Sequence, residues 1–105
     1  MTASLPPTAV IRVSRGNFDP ARFAEVDSAN RSVADYLIPA IQRLPGLISY
    51  YAGLSPDGST VHVSIWESHE HAAQMGRLKQ MIVDARREFE AAGVTFIPIL
   101  NYPIV

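Results

Sequence analysis

The stretch LISYYAGLSPDGSTVHVSIWE, residues 47–67, decides the fold of this chain. Residues 47–54 and 60–67 are rich in Ile, Val, Tyr and Trp, as half-buried strands are. They flank SPDGS, in which Pro, Asp and Gly favour reversal of the chain. The pattern therefore predicts a β-hairpin with its turn at residues 55–59.

A strand and a helix are predicted before the hairpin. Residues 8–15, TAVIRVSR, have the pattern of a strand, and Gly16 follows them. Asp19 can then cap a helix whose first position is Pro20, where the missing N–H costs nothing. Apolar residues at spacings of three and four continue this helix to about Arg43. Pro39 predicts a kink or break, because its nitrogen cannot donate to a carbonyl one turn earlier.

A second helix is predicted after the hairpin. Ser68 is a suitable N-cap, and helical spacing of apolar residues continues to Gly93. Gly76 is a candidate split in this helix, because glycine disfavours the helix interior.

The remaining segment, residues 96–105, is extended and apolar but contains Pro98 and Pro103, which are typical of an edge strand. The two prolines are an odd number of positions apart, so the N–H groups that they lack would point to opposite sides of the strand. One regular edge strand cannot accommodate both. We expect a bulge or break near Asn101, with residues 102–105 leaving the sheet.

The order βαββαβ corresponds to an α+β, ferredoxin-like split βαβ fold with a four-stranded antiparallel sheet. Alternation along residues 61–66 directs Val61, Val63 and Ile65 to one face of this sheet. His62, Ser64 and Trp66 point to the other face. Two helices cover only one face, so we expect a homodimer in which two sheets pack together as a dimeric α+β barrel.

Composition narrows the class of protein further. The chain has 105 residues, a formal charge of −1 and no cysteine. We expect a short N-terminal arm over residues 1–7 and a single domain over residues 8–105. No basic run, signal peptide or membrane-spanning stretch is evident, so we expect a cytoplasmic protein without a nucleic acid or membrane partner. The lack of cysteine excludes thiolate chemistry.

The segment SIWESHEHA, residues 64–72, resembles the junction between the third strand and the second helix in the antibiotic biosynthesis monooxygenase family. The resemblance covers roughly residues 8–100. It implies the dimeric α+β barrel and, in the cofactor-free branch, oxidation of a small aromatic substrate of phenolic, quinol or anthrone type. The deprotonated substrate of such enzymes reacts with dioxygen itself. No cofactor is then expected.

The resemblance implies two catalytic residues, and the chemistry of histidine suggests a third. Trp66 and Arg86 match the strand Trp and helix Arg of the quinone-forming branch, whereas His62 replaces its Asn. A histidine with a pKa near 6.5 is suited to act as a general base. We therefore expect His62 as the proton acceptor, Trp66 as an aromatic wall, and Arg86 as the cation facing a phenolate or peroxide anion.

Other polar residues are candidates for substrate binding. Arg12 and Ser64 fall on the same predicted face as His62, and a buried Arg12 would need a bound anion or a carboxylate such as Asp35 or Glu67. Tyr36 is a further candidate for orienting the substrate.

Metal and heme chemistry are not expected from this sequence. His69 and His71 lie two residues apart, so on a helix they point in different directions and do not form a metal pair. Heme cleavage in the family uses an axial His at a spacing that Met75 and Gly76 occupy here. Heme and flavin stay open as alternatives, although no cofactor is our expectation.

Two other functions stay open at this stage. One is an isomerase or lyase of the dimeric α+β barrel type, in which His62 transfers a proton without oxygen. The other is a non-catalytic homodimer that binds a small ligand. A packed His62 without an adjacent cavity would favour the second of these.

Overall fold

The computed structural model describes residues 5–105, so most of the predicted arm at residues 1–7 lies outside the described residues. The strands and helices follow the predicted βαββαβ order, with the second helix divided. They are β1 (Val10–Asn17), α1 (Phe23–Gln42), β2 (Leu47–Ser55), β3 (Ser59–Trp66), α2 (His69–Ala73), α3 (Lys79–Ala91) and β4 (Thr95–Pro103). The strands form one antiparallel sheet in the order β2-β3-β1-β4. The predicted fold class is confirmed.

The hairpin turn joins β2 to β3 and is attached to the end of β1. Gly58 adopts a φ of 104°, a region that side chains other than glycine rarely occupy. Its carbonyl accepts a hydrogen bond of 2.9 Å from the Phe18 amide. The glycine of SPDGS thus permits the reversal and also fixes the chain that leads into α1.

Both helix starts follow the predicted caps. Asp19 accepts a hydrogen bond from the Ala21 amide at 2.9 Å, at the start of a short 3-10 turn that continues into α1. Ser68 accepts one from the His71 amide at 3.2 Å at the start of α2. α1 continues past Pro39 to Gln42, so Pro39 does not break the helix, which ends within a turn of this proline.

The predicted division of the second helix is confirmed. A 3-10 segment, Gln74–Leu78, contains Gly76 and separates α2 from α3.

β4 contains a bulge, but not where the sequence predicts it. Val13 pairs with Leu100 and Arg15 with Ile97, so one extra residue of β4 lies between these pairs, at Pro98 and Ile99. The prediction of a break near Asn101 is therefore wrong. β4 stays paired with β1 to Pro103, and the Ile104 amide still donates to the Ala9 carbonyl at 3.1 Å. The irregularity occurs at Pro98 itself, because a bulge is a position where a strand tolerates proline.

The bulge changes which side chains of β4 face the helices. We call the helix-covered side of the sheet the inner face and the other side the open face. Without the bulge, Ile97 and Ile99 would share a face. The extra residue instead turns Ile99 towards the inner face with Phe96, and both line a cavity there.

The open face is apolar and has no covering element among the described residues. Its central row, in register across all four strands, consists of Tyr51, Val63, Val13 and Leu100. Tyr51 is 62% exposed and Leu100 is 44% exposed. A continuous patch of large apolar side chains with such exposed fractions is unusual on a monomeric protein.

The core lies between the inner face and the helices, in two clusters of buried side chains. One surrounds Val26 and Phe89, where α1 meets α3, and the other surrounds Ile41 and Trp66 near α2. No helix within residues 5–105 combines the length and the apolar character needed to cross a membrane.

Candidate active site

A cavity lies in the core between the inner face and the helices. The centre of a water molecule can occupy a volume of about 60 Å³ within it. The cavity therefore has room for about five waters. The cavity is partly open to solvent. Its floor consists of five sheet residues, namely Arg12, Ser14, Tyr50, His62 and Ser64, and its walls are mostly apolar side chains of α1, α3 and β4.

The polar floor arises from the register of the sheet. Tyr50, Ser64 and Arg12 form one row across β2, β3 and β1. His62 and Ser14 lie in the next row, two residues along the strands. Since every second side chain of a strand points to the same face, the two rows present their polar groups to one cavity.

His62 is held by a contact from α1. Its Nε2 lies 3.2 Å from Asn30 Oδ1, and an amide oxygen only accepts, so Nε2 carries the proton and Nδ1 keeps its lone pair. The ring also packs edge-on against Phe89, with 5.6 Å between ring centroids. Burial lowers the pKa of His62 below its usual value of 6.5. At neutral pH the residue is therefore a neutral imidazole able to accept a proton.

Trp66 does not form a wall of the cavity, which corrects the prediction made for it. Its side chain is completely buried, and its Nε1 donates to Ser64 Oγ at 2.8 Å. Ser64 is the residue that reaches the cavity. Trp66 lies behind it because the end of β3 is covered by Ile41 and Met75, so the indole positions the serine hydroxyl instead of contacting a ligand.

Tyr36 does not line the cavity either, which corrects its prediction as a substrate-binding residue. It packs against the cluster around Val26, and its hydroxyl is buried without a hydrogen-bond partner among residues 5–105. Tyr50 lies on the cavity floor instead. Burial raises the pKa of Tyr50 to about 12, although the neighbouring Arg12 charge opposes the shift. Tyr50 is therefore a neutral hydroxyl at physiological pH.

Arg86 and Arg12 both reach the cavity. The Arg86 guanidinium lies over the Phe96 ring, with 4.9 Å from Cζ to the ring centroid, a cation–π contact at the edge of the cavity. Arg12 comes from the floor. Burial and, to a smaller extent, the charge of Arg86 lower its pKa. An arginine nevertheless stays charged in proteins.

The expected carboxylate partners of Arg12 are not in place. Asp35 and Glu67 are exposed, and the ion pairs within the described chain are Arg22 with Glu25 and Arg31 with Asp27. Neither pair includes a cavity residue.

The remaining histidines do not contribute to this cavity. His69 is exposed at the start of α2, and His71 Nδ1 lies 2.7 Å from Ser68 Oγ. No group of three potential metal ligands is found in the part of the chain that the structure describes.

Sequence reasoning missed Asn30 and named Tyr36, not Tyr50, as the substrate-binding tyrosine. Asn30 lies on α1, 32 residues from His62, and an Asn on an amphipathic helix gives no signal of its partner. Tyr50 was identifiable in principle, since its register with Ser64 places it on the inner face. That register runs without interruption from the pair Ser55 and Ser59 at the turn, and the irregularity of β2 lies beyond it, between Leu47 and Ser49.

The fold of the chain recurs among known structures. SnoaB, a cofactor-independent oxygenase from Streptomyces nogalater, superposes with a TM-score of 0.60 at 17% identity, over 93% of this chain and 94% of its own. Two proteins that carry the antibiotic biosynthesis monooxygenase name give similar results. The one from Caulobacter crescentus has a TM-score of 0.68 at 16% identity, covering 94% and 92% of the two chains. The one from Deinococcus radiodurans has a TM-score of 0.69 at 16% identity, covering 91% and 92%.

This chain has the antibiotic biosynthesis monooxygenase fold. No protein-family model matches its sequence, and no curated protein matches it either. At these identities the similarity concerns the fold, so the chemistry has to be argued from the cavity itself.

Proposed function

We propose that the protein is a cofactor-independent monooxygenase that oxidises a small phenolic substrate in the cavity between sheet and helices. The observation that carries this proposal is the state of His62, a neutral imidazole on the cavity floor whose Nε2 is held by Asn30. A base in this state can remove a phenolic proton at Nδ1. The fold shared with a cofactor-independent oxygenase supports the same chemistry.

His62 is the better candidate for the base of this cavity. Tyr50, the other proton-transferring side chain on the floor, has a pKa of about 12 and is already protonated at neutral pH. The two arginines are permanent cations. Asn30 acts as a positioning residue, since its amide oxygen selects the tautomer in which Nδ1 is free to accept.

The proposed reaction needs only dioxygen besides the substrate. His62 removes the phenolic proton, and the electron-rich ring carbon of the phenolate forms a bond to dioxygen. Cleavage of the O–O bond, with loss of the hydrogen on that carbon, leaves a quinone. One oxygen atom enters the product and the other leaves as water, so the substrate supplies the electrons and no external reductant is consumed.

The charge of Arg86 is suited to this sequence of steps. Anions develop first on the phenolate and then on the bound peroxide, and a cation at the edge of the cavity stabilises both. Arg86 is itself held by the Phe96 ring, so it is positioned before the anion forms. A substrate that fills the cavity displaces water from its mostly apolar walls, which include Phe89.

The two alternative functions differ in what they require. A packed His62 without an adjacent cavity would favour a binding protein without catalysis. His62 instead lines a cavity. An isomerase or lyase would use the same base but would consume no oxygen. Oxygen consumption therefore separates the proposal from both alternatives.

The test is oxygen uptake with a panel of small phenols and hydroquinones, together with identification of the quinone product. His62→Ala is expected to lower turnover by about 100-fold or more. His69→Gln is the matched control, since it changes an exposed histidine away from the proposed base. Product formation under strict anaerobiosis, or equal turnover by wild type and His62→Ala, would contradict the proposal.

A further inference from the structure

The cavity and the cleft beside it carry an unbalanced positive charge. A surface cleft adjoins the cavity and shares Arg12, Met75, Ile82 and Arg86 with it, and the cleft adds Lys79. No Asp or Glu lines either space. The whole chain has a formal charge of −1, so this local excess of cations is a property of the site and not of the protein as a whole.

The position of Arg12 is costly without an anion. It projects from the middle of the sheet, burial lowers its pKa, and Arg86 adds a like charge nearby. The ion pairs found between residues 5 and 105 do not involve either arginine. Arg12 is half-buried and Arg86 is exposed, and two like charges that line one cavity are both stabilised when an anion binds there.

We propose that Arg12 and Arg86 together bind a carboxylate of the ligand, so that the ligand of this cavity is an aromatic carboxylic acid. A carboxylate is favoured over other anions by its planar shape, since it can accept paired hydrogen bonds from a guanidinium. This proposal rests on the proposed function only for the phenolic part of the ligand. The charge of the site is independent of it.

The floor also indicates where the two ends of such a ligand lie. The Arg12 row and the His62 row are two residues apart along the strands, which is a separation of about 7 Å. That distance suits a single aromatic ring with its acidic groups at opposite ends. The carboxylate would lie at the Arg12 row, near the cleft, and the phenol at the His62 row. With such a ligand Arg86 pairs with the carboxylate, and the role proposed for it with the phenolate applies to substrates that carry no carboxylate.

The experiment compares 4-hydroxybenzoate with 4-hydroxybenzamide, which has nearly the same shape without the charge. Binding is measured by isothermal titration calorimetry at neutral pH under nitrogen, so that no oxidation of the ligand occurs during the titration. The acid is expected to bind at least about tenfold more tightly than the amide. Equal affinities for the two compounds would overturn the proposal.

Variants assign the preference to the two arginines. Arg12→Met is expected to abolish it, Arg86→Gln to reduce it, and Arg12→Lys to retain part of it because the charge remains. Arg87→Gln is the matched control, because Arg87 is the next residue of α3, is exposed and lines neither space. Circular dichroism verifies that each variant is folded. A preference for the acid that survives in folded Arg12→Met and Arg86→Gln would place the carboxylate elsewhere and contradict the proposal.

The binding experiment, combined with the oxygen uptake measurement described above, separates this inference from the proposed function. Oxygen uptake with neutral phenols, combined with equal affinity for acid and amide, would remove the carboxylate site and leave the monooxygenase proposal intact. Tight binding of the acid through both arginines, without any oxygen uptake, would support the carboxylate site and remove the monooxygenase.

Discussion

His62 links the stability of the protein to pH. Because burial lowers its pKa, the unfolded chain takes up a proton at His62 at a higher pH than the folded protein does. The free energy of unfolding therefore rises with pH between the pKa of His62 in the folded protein and its pKa of about 6.5 in the unfolded chain. The contribution of His62 to stability is lost as the pH falls through this window. We expect His62→Gln to have a flatter pH dependence of stability in this range.

The measurement is urea unfolding followed by circular dichroism at several pH values from about 5 to about 7.5. The relevant quantity is the difference in slope between wild type and His62→Gln, since acidic residues contribute to both. Identical slopes in the two proteins would show that His62 has its ordinary pKa in the folded state.

The Trp66 indole and the Ser64 hydroxyl form a buried pair whose members depend on each other. Trp66→Phe removes the donor and leaves the hydroxyl without it, which is expected to cost about 1–3 kcal/mol in addition to the loss of ring volume. Ser64→Ala leaves the indole N–H unsatisfied at a similar cost. The double variant removes both polar groups, so it should be more stable than the sum of the two changes indicates.

A double-mutant cycle by urea unfolding measures this coupling. The expected coupling energy is about 1 kcal/mol. Strict additivity would mean that the hydrogen bond contributes nothing to the folded state.

Alternation within a strand was sufficient to predict the site residues of the sheet. Alternation placed His62, Ser64 and Arg12 on one face, and all three line the cavity. The contact between Asn30 and His62 joins a helix to a strand, and it depends on the rotation of α1 over the sheet. Apolar spacing determines that rotation too coarsely to identify a single polar partner.

At the scale of the elements, α1 contains a proline that is expected to lower the free energy of unfolding. Pro39 is exposed, and its missing amide leaves the Asp35 carbonyl without its helical partner. Pro39→Ala restores that donor without removing a packed side chain. We expect the free energy of unfolding to rise by about 1–3 kcal/mol.

Pro45→Ala is the control for this prediction. Pro45 lies outside the helix, in the segment between α1 and β2, so its replacement adds no helical hydrogen bond. Thermal and urea unfolding of the two variants give the comparison. A loss of stability in Pro39→Ala would show that the proline stabilises the end of α1 by restricting the unfolded chain.

The order of the elements and the division of the second helix at Gly76 could be read from the sequence, whereas the position of the bulge in β4 could not. Caps at Asp19 and Ser68 and the SPDGS turn are local signals, and local signals suffice to start and end elements. A bulge shifts one strand by one residue relative to its neighbour, so it depends on the pairing of two distant segments. The consequence is large, because the shift in β4 brings Ile99 into the cavity.

At the scale of the whole molecule, the open face needs a partner. We propose that a second copy of the chain covers it, because the central row of Tyr51, Val63, Val13 and Leu100 is apolar across the whole sheet. We expect a homodimer in sedimentation velocity experiments at micromolar concentration. A monodisperse monomer would remove the barrel arrangement.

Val63→Asp places a charge in the middle of this row and is expected to shift the protein to a monomer, since a buried carboxylate without a partner is costly. Ser32→Asp adds the same charge to an exposed position of α1 and should leave the dimer unchanged. If both variants sediment like the wild type, the sheets do not form the contact.

One buried hydrogen bond also makes ligand binding visible. Trp66 is the single tryptophan of the chain, its indole is shielded from water, and it donates to a serine that faces the cavity. Its fluorescence should therefore lie at the short-wavelength end of the range for tryptophan. A ligand that draws the Ser64 hydroxyl towards itself perturbs the indole N–H and changes the intensity. The protein thus contains its own optical probe, one hydrogen bond away from the site where a ligand would bind.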